Sequence, residues 1–175
     1  VVGDGWTSDW SPDGRHLAVY GGKVGMNVSV VDLDSAHAFH PVTSLKVVAR
    51  NARFSPDGRW LAYQSNETGR MQVYVVSYPD LAEKRPVSTE GGTEPAWRPR
   101  GGELYYRNGP SMMAVTIRTM PRRGVAFPED LYGDRSFDVM PDGEQFLMFE
   151  PDPAAAPELR VIRNWATELK AMVQR

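Results

Sequence analysis

One turn sequence recurs along this chain at a nearly fixed interval: Trp10-Ser-Pro-Asp-Gly14, Phe54-Ser-Pro-Asp-Gly58, Trp97-Arg-Pro-Arg-Gly101 and Val139-Met-Pro-Asp-Gly143. The lead residues stand 44, 43 and 42 positions apart. A period of that length, with several short apolar runs in each repeat, is the pattern of an all-β chain folded as a β-propeller, one four-stranded blade per repeat. The turn chemistry accounts for the residue types. Proline fixes φ near about −65° at the first corner, aspartate accepts a hydrogen bond from the backbone just ahead, and glycine takes a positive φ without Cβ strain. The expected role of Asp13, Asp57 and Asp142 is therefore to shape turns rather than to carry catalysis or hold a metal.

The segments between the turns read as strands. In the second repeat Trp60 to Ser65 forms one, Asn66-Glu-Thr-Gly69 turns the chain, Met71 to Tyr78 forms the next, and Arg85 to Thr89 a short outer one. The first repeat matches it with His16 to Tyr20, the Gly21-Gly22 turn, Met26 to Leu33 and His40 to Thr43. The third has Glu103 to Arg107, Met112 to Ile117 and a degenerate outer strand near Val125 to Tyr132. The fourth has Gln145 to Glu150 and Leu159 to Arg163 on either side of a Pro151-to-Pro157 linker. These spans predict blades over about 6–44, 50–89, 93–132 and 135–163. Trp165, Leu169, Met172 and Val173 then fall at helical spacing behind an Asn164 N-cap, which predicts a short amphipathic helix over about 165–174. Val1 and Val2 align with Ser88 and Thr89, the end of an outer strand, so the chain reads as the later blades of a larger ring. Two copies could instead complete a ring as a closed homodimer.

Composition excludes several classes of function. A net charge of −2 with interspersed signs leaves no footprint for nucleic acid. No apolar run approaches the roughly 20 residues of a membrane span. The absence of cysteine removes thiolate metal sites and catalytic thiols. His16, His37 and His40 do not make a compact ligand set, and Asp32-Leu-Asp34 lacks the rest of a calcium loop. The expectation is a chain with no metal and no cofactor, and Asp32 is read as part of the polar turn between third and fourth strands.

Phe54-Ser-Pro-Asp-Gly-Arg-Trp-Leu-Ala-Tyr63 with Val73-Tyr-Val-Val76 resembles the TolB-type (PD40, WD40-like) repeats of bacterial periplasmic propellers. Arg85 to Trp97, Phe137 to Leu147 and Arg160 to Lys170 resemble the C-terminal sensor propellers of bacterial eukaryotic-like serine/threonine kinases. The resemblance covers essentially the whole chain. It implies an extracytoplasmic location and a role in protein binding or signalling. It brings no catalytic residue, because neither the Gly-rich loop and catalytic loop of a kinase nor the Gly-x-Ser-x-Gly elbow of a serine hydrolase occurs here.

The expected function is thus a non-catalytic module for protein-protein interaction or ligand sensing, its partner unidentified. The competing reading is an accessory, substrate-gating propeller of a hydrolase. Residues four and three before each lead residue should gather at one mouth of the propeller channel: Trp6 and Thr7, Arg50 and Asn51, Thr93 and Glu94, Arg135 and Ser136. Polar variation there, on an otherwise repeated scaffold, fits a recognition surface. Plain solvent-facing loops would vary in the same way.

Overall fold

The structure is a computed structural model that describes residues 5–22, 25–35, 37–117, 125–126, 137–143, 145–150 and 158–163. The chain divides into two compact units, Val1–Pro95 and Ala96–Arg175. All regular elements among the described residues are strands, joined as antiparallel meanders. In the first sheet β1 (Trp6–Trp10), β2 (His16–Tyr20), β3 (Val28–Asp32) and β4 (Phe39–Pro41) lie side by side in chain order. The second repeats it with β5 (Ala49–Phe54), β6 (Trp60–Ser65), β7 (Gln72–Ser77) and β8 (Lys84–Pro86). The third comprises β9 (Thr93–Trp97), β10 (Glu103–Asn108), β11 (Ser111–Thr116) and β12 (Val125–Ala126). The fourth joins β13 (Phe137–Val139), β14 (Gln145–Glu150) and β15 (Glu158–Arg163). The helix expected over 165–174, the linker before β15 and the residues Val1 and Val2 lie outside the described residues.

The recurring turn has one construction. Gly14 and Gly58 donate their N–H groups to the carbonyls of Ser11 and Ser55, each at 2.9 Å, and both glycines have positive φ, 74° and 68°. The serine hydroxyl donates to the aspartate, whose Oδ1 also accepts from the backbone N–H of Arg15 or Arg59 at 3.1 and 3.2 Å. The same hydroxyls accept from the N–H of His16 and Trp60, each at 2.9 Å. In the third and fourth repeats the backbone closure persists without serine: Gly101 donates to Arg98 at 2.7 Å and Gly143 to Met140 at 2.8 Å. Hydrogen bonds from Ser11 and Arg15 hold the Asp13 carboxyl below its ordinary range. At Asp57 burial works in the opposite direction, but the bonds from Ser55 and Arg59 prevail and its carboxyl is also lowered.

The outer strands are shorter than the sequence spans suggested, and the reason repeats. Thr43 and Ser88 turn their hydroxyls inward to accept the N–H of Val28 (2.9 Å) and Val73 (2.8 Å), taking over from a backbone carbonyl. The ladder therefore ends at Pro41 and Pro86. Both outer strands are fully exposed and carry proline, which blunts an edge against pairing with other chains.

Within the first unit the core lies between the first two sheets. Ala18, Val28 and Val30 face Ala52, Phe54, Leu61, Tyr63, Tyr74 and Val76. Burying each large apolar side chain stabilises the fold by about 1.5–3 kcal/mol before entropy is counted. The alternation at the end of β5 dictates this face: Ala52 and Phe54 are buried with exposed Arg53 between them, and Phe54 pairs with Leu61 in register. In the second unit Tyr105, Met112 and Phe146 form a smaller cluster with Ala114, Phe137 and Val139, and Tyr105 meets Phe146 edge-on with ring centroids 5.0 Å apart.

Candidate functional site

The positions ahead of the turns fall on β-bulges. In β1 the register with β2 slips between Thr7 and Asp9, and in β5 the register with β6 slips between Arg50 and Arg53. One extra residue on the first strand of each sheet re-aims the side chains around it. Asn51 and Glu94, 43 positions apart in the sequence, both have φ of 53°. Few non-glycine residues take that left-handed conformation.

One buried side chain joins the first strands of two successive repeats. Gln64 of β6 is only 1% exposed, and its Oε1 accepts from Asn51 Nδ2 at 2.9 Å and from the Glu94 backbone N–H at 2.8 Å. Asn51 is on its own sheet and Glu94 opens the next first strand, so a single carboxamide oxygen ties two repeats together. In the first sheet the equivalent position is Tyr20, paired with Trp6 as Gln64 is with Arg50. In the third it is Arg107, which is also buried.

Trp6 is 58% exposed, yet its ring has a defined seat. It stacks on Tyr20 with centroids 5.8 Å apart and planes 26° from parallel. Gly21 forms the floor: a Cβ there would lie 2.6 Å from Trp6 Cζ3, and φ at Gly21 is +83°. Space and backbone conformation each require glycine at that position.

Below these residues, the first two sheets are joined by polar contacts. Asp9 Oδ2 accepts the backbone N–H of Phe54 at 2.8 Å, and Arg53 Nη1 donates to the Ser8 carbonyl at 3.0 Å while approaching Asp9 Oδ1 at 4.0 Å. Burial pushes the Asp9 carboxyl above its ordinary range, against the lowering effect of these bonds and of Arg53.

Thr7 and Arg50 are exposed, and Asn51, Thr93 and Glu94 are half-buried. Arg50 forms no ion pair among the described residues. The Glu94 carboxylate has no hydrogen-bond partner there either, and its Oε2 is enclosed. Of the eight residues singled out in the sequence, six lie in the first unit at the starts of β1, β5 and β9. Arg135 and Ser136 are outside the described residues.

Sequence reasoning missed Tyr20, Gly21 and Gln64. Gly21 was read only as a turn residue, and Gln64 stands at the polar end of an otherwise apolar strand. The signal was the repeat itself: Tyr20, Gln64 and Arg107 occupy one repeat position and carry three different polar-capable side chains in an apolar run. His16 lies edge-on to Tyr78, while His37 is in a turn and His40 on β4. Among the described residues no group of three His, Asp or Glu side chains gathers to hold a metal. Asp32 Oδ1 accepts the N–H groups of Asp34 and Ser35 at 2.8 and 3.1 Å, forming the polar turn after β3.

No family model matches the sequence. The chain is 27% identical over 152 residues to the uncharacterized protein Atu1656 of Agrobacterium fabrum, a match that covers 78% of this chain and 52% of that protein. Among solved structures it is similar to TolB from Acinetobacter baumannii, with a TM-score of 0.70 and 16% identity over 93% of this chain and 41% of TolB. It is also similar to a puromycin-hydrolyzing peptidase of Mycobacterium tuberculosis, with a TM-score of 0.64 and 18% identity over 88% of this chain and 26% of the peptidase. The fold is a TolB-like β-propeller. The chain spans about half the length of the curated relative it matches. No helix among the described residues is long and apolar enough to cross a membrane.

Proposed function

We propose that this chain is a non-catalytic propeller module that binds a protein partner through the bulged starts of its first strands, with Trp6, Thr7, Arg50, Asn51, Thr93 and Glu94 on the binding face. Arg135 and Ser136 hold the equivalent repeat positions in the sequence. The observation that carries the reading is Trp6. A tryptophan left more than half exposed but locked on Tyr20 and Gly21 has already lost its conformational freedom, so a partner that covers it gains apolar burial at little entropic cost. Arg50, exposed and free of ion pairs among the described residues, supplies a cation at the equivalent position of the next sheet.

The sequence resemblance to kinase sensor propellers supports a place in a bacterial envelope or signalling protein, outside the cytoplasm, with four blades over about 6–44, 50–89, 93–132 and 135–163. The likeness to a peptidase supports a second reading, that of an accessory propeller which gates substrate for a hydrolase domain carried elsewhere.

A partner captured by the wild-type chain is expected to be lost with Trp6→Ala and Arg50→Ala and kept with Phe39→Ala, a change on the exposed outer strand β4. Equal capture by all three variants would refute the binding face.

A further inference from the structure

Glu94 occupies a position at which its side chain makes no hydrogen bond or ion pair with any described residue. Its φ of 53° costs a non-glycine residue about 1–2 kcal/mol, a cost that glycine would not incur. The structural bond made at this position, from its N–H to Gln64 Oε1 at 2.8 Å, uses the backbone alone. Asn51 is a useful contrast. It has the same φ, but asparagine tolerates that conformation better, and its side chain is bonded to Gln64.

The carboxylate of Glu94 is also uncompensated among the described residues. Oε2 is enclosed without a hydrogen-bond partner, and no ion pair joins Glu94 to Arg50 or to any other described residue. Removing part of an ionised carboxylate from water costs free energy unless a donor or cation replaces that water. Oε2 alone is enclosed, so the outer oxygen, Oε1, remains able to receive one.

We propose that Glu94 is the anchor for an ammonium group on the partner, a proposal that rests on the binding face described above. The chemistry favours an ammonium over a divalent metal. A metal needs several anionic or imidazole ligands, and no such group gathers among the described residues. An ammonium carries three donors and needs one carboxylate plus neutral oxygens. Thr93 precedes Glu94 in the chain, and Asn51 Nδ2 bonds the same Gln64 Oε1 that accepts the Glu94 N–H, so neutral polar groups stand on the same short stretch of the fold.

The test is an amide-shift titration of the isotope-labelled chain with three probes: Nα-acetyl-lysine amide, which carries only a side-chain ammonium, glycinamide, which carries only an α-amino group, and acetate. Binding of the first identifies a lysine side chain as the source, and binding of the second a chain terminus. Shifts are expected at the amides of Asn51, Glu94 and Gln64, with affinity at least about tenfold weaker in Glu94→Gln, because a neutral acceptor replaces a charged one. Glu94→Gly supplies the second arm. It suits φ of 53° and should hold or raise stability while abolishing binding. Two results would overturn the proposal: no shifts with either amine, or equal binding by Glu94→Gln and Glu94→Gly. If amine binding fails while partner capture still depends on Trp6 and Arg50, the binding face stands and only the ammonium anchor is lost.

Discussion

Replacing Phe54 by alanine and, separately, Trp10 by alanine places the same perturbation at the same repeat position in opposite surroundings. Each is the lead residue before its Pro turn. Phe54 is 5% exposed and sits in the core shared by the first two sheets, meeting Tyr78 edge-on at 5.1 Å. Trp10 is 57% exposed. Truncating a buried phenylalanine removes its transfer free energy and leaves a cavity, together about 3–5 kcal/mol. Losing the Tyr78 contact falls within that figure, since such aromatic pairs contribute about 0.5–1.5 kcal/mol. For Trp10, less than half of the side chain is out of water, so the cost is about 1 kcal/mol. Thermal unfolding followed by far-ultraviolet circular dichroism reads both without depending on indole fluorescence. At about 2–4 °C per kcal/mol for a chain of this size, Phe54→Ala should lower Tm by roughly 6–20 °C and Trp10→Ala by only a few degrees. Equal losses would refute the claim that surroundings, rather than the place in the repeat, set the energetic role of the lead residue.

Gly21→Ala should destabilise by about 1–2 kcal/mol through its φ alone, and the clash with Trp6 should displace the indole, so the emission of Trp6 shifts in a variant retaining only that tryptophan. An unchanged spectrum would mean that the ring is not seated as described. The pH dependence of stability follows from two opposite shifts. The Asp57 carboxyl is lowered in the fold, so its stabilising contribution is complete above the unfolded value near 3.8 and disappears as pH falls through the folded value. Asp57→Asn should therefore flatten the acid limb of a stability-against-pH curve. The Asp9 carboxyl is raised by burial, so its ionisation weakens the fold as pH rises from about 3.8 through the folded value, and Asp9→Asn should remove that opposing trend. Matching curves for wild type and both variants would refute these assignments.

The scaffold was legible because its information is local. Ser-Pro-Asp-Gly specifies a turn through the φ of proline, the acceptor of aspartate and the freedom of glycine, and the alternation in Ala52-Arg-Phe54 specifies which face of β5 is buried. Neither needs a partner distant in sequence. The ends of the outer strands were less legible, because the hydroxyls of Thr43 and Ser88 compete with the backbone ladder only after a neighbouring strand presents Val28 or Val73. The eight candidate positions could be assigned to the starts of first strands by counting back from the turns, and the six among the described residues stand on those strands.

What the sequence by itself determined is the repeat: the turns, the strand order and the class of fold. Only the tertiary structure decided what each repeat position does. It buries Phe54 and exposes Trp10, gives Gln64 two donors 43 positions apart in the sequence, seats Trp6 on a glycine, and leaves the Glu94 carboxylate without a partner among the described residues at a left-handed backbone position. The physical reason is that burial and hydrogen-bond satisfaction depend on which surfaces meet across sheets, and side chains of the same kind at equivalent positions meet different neighbours.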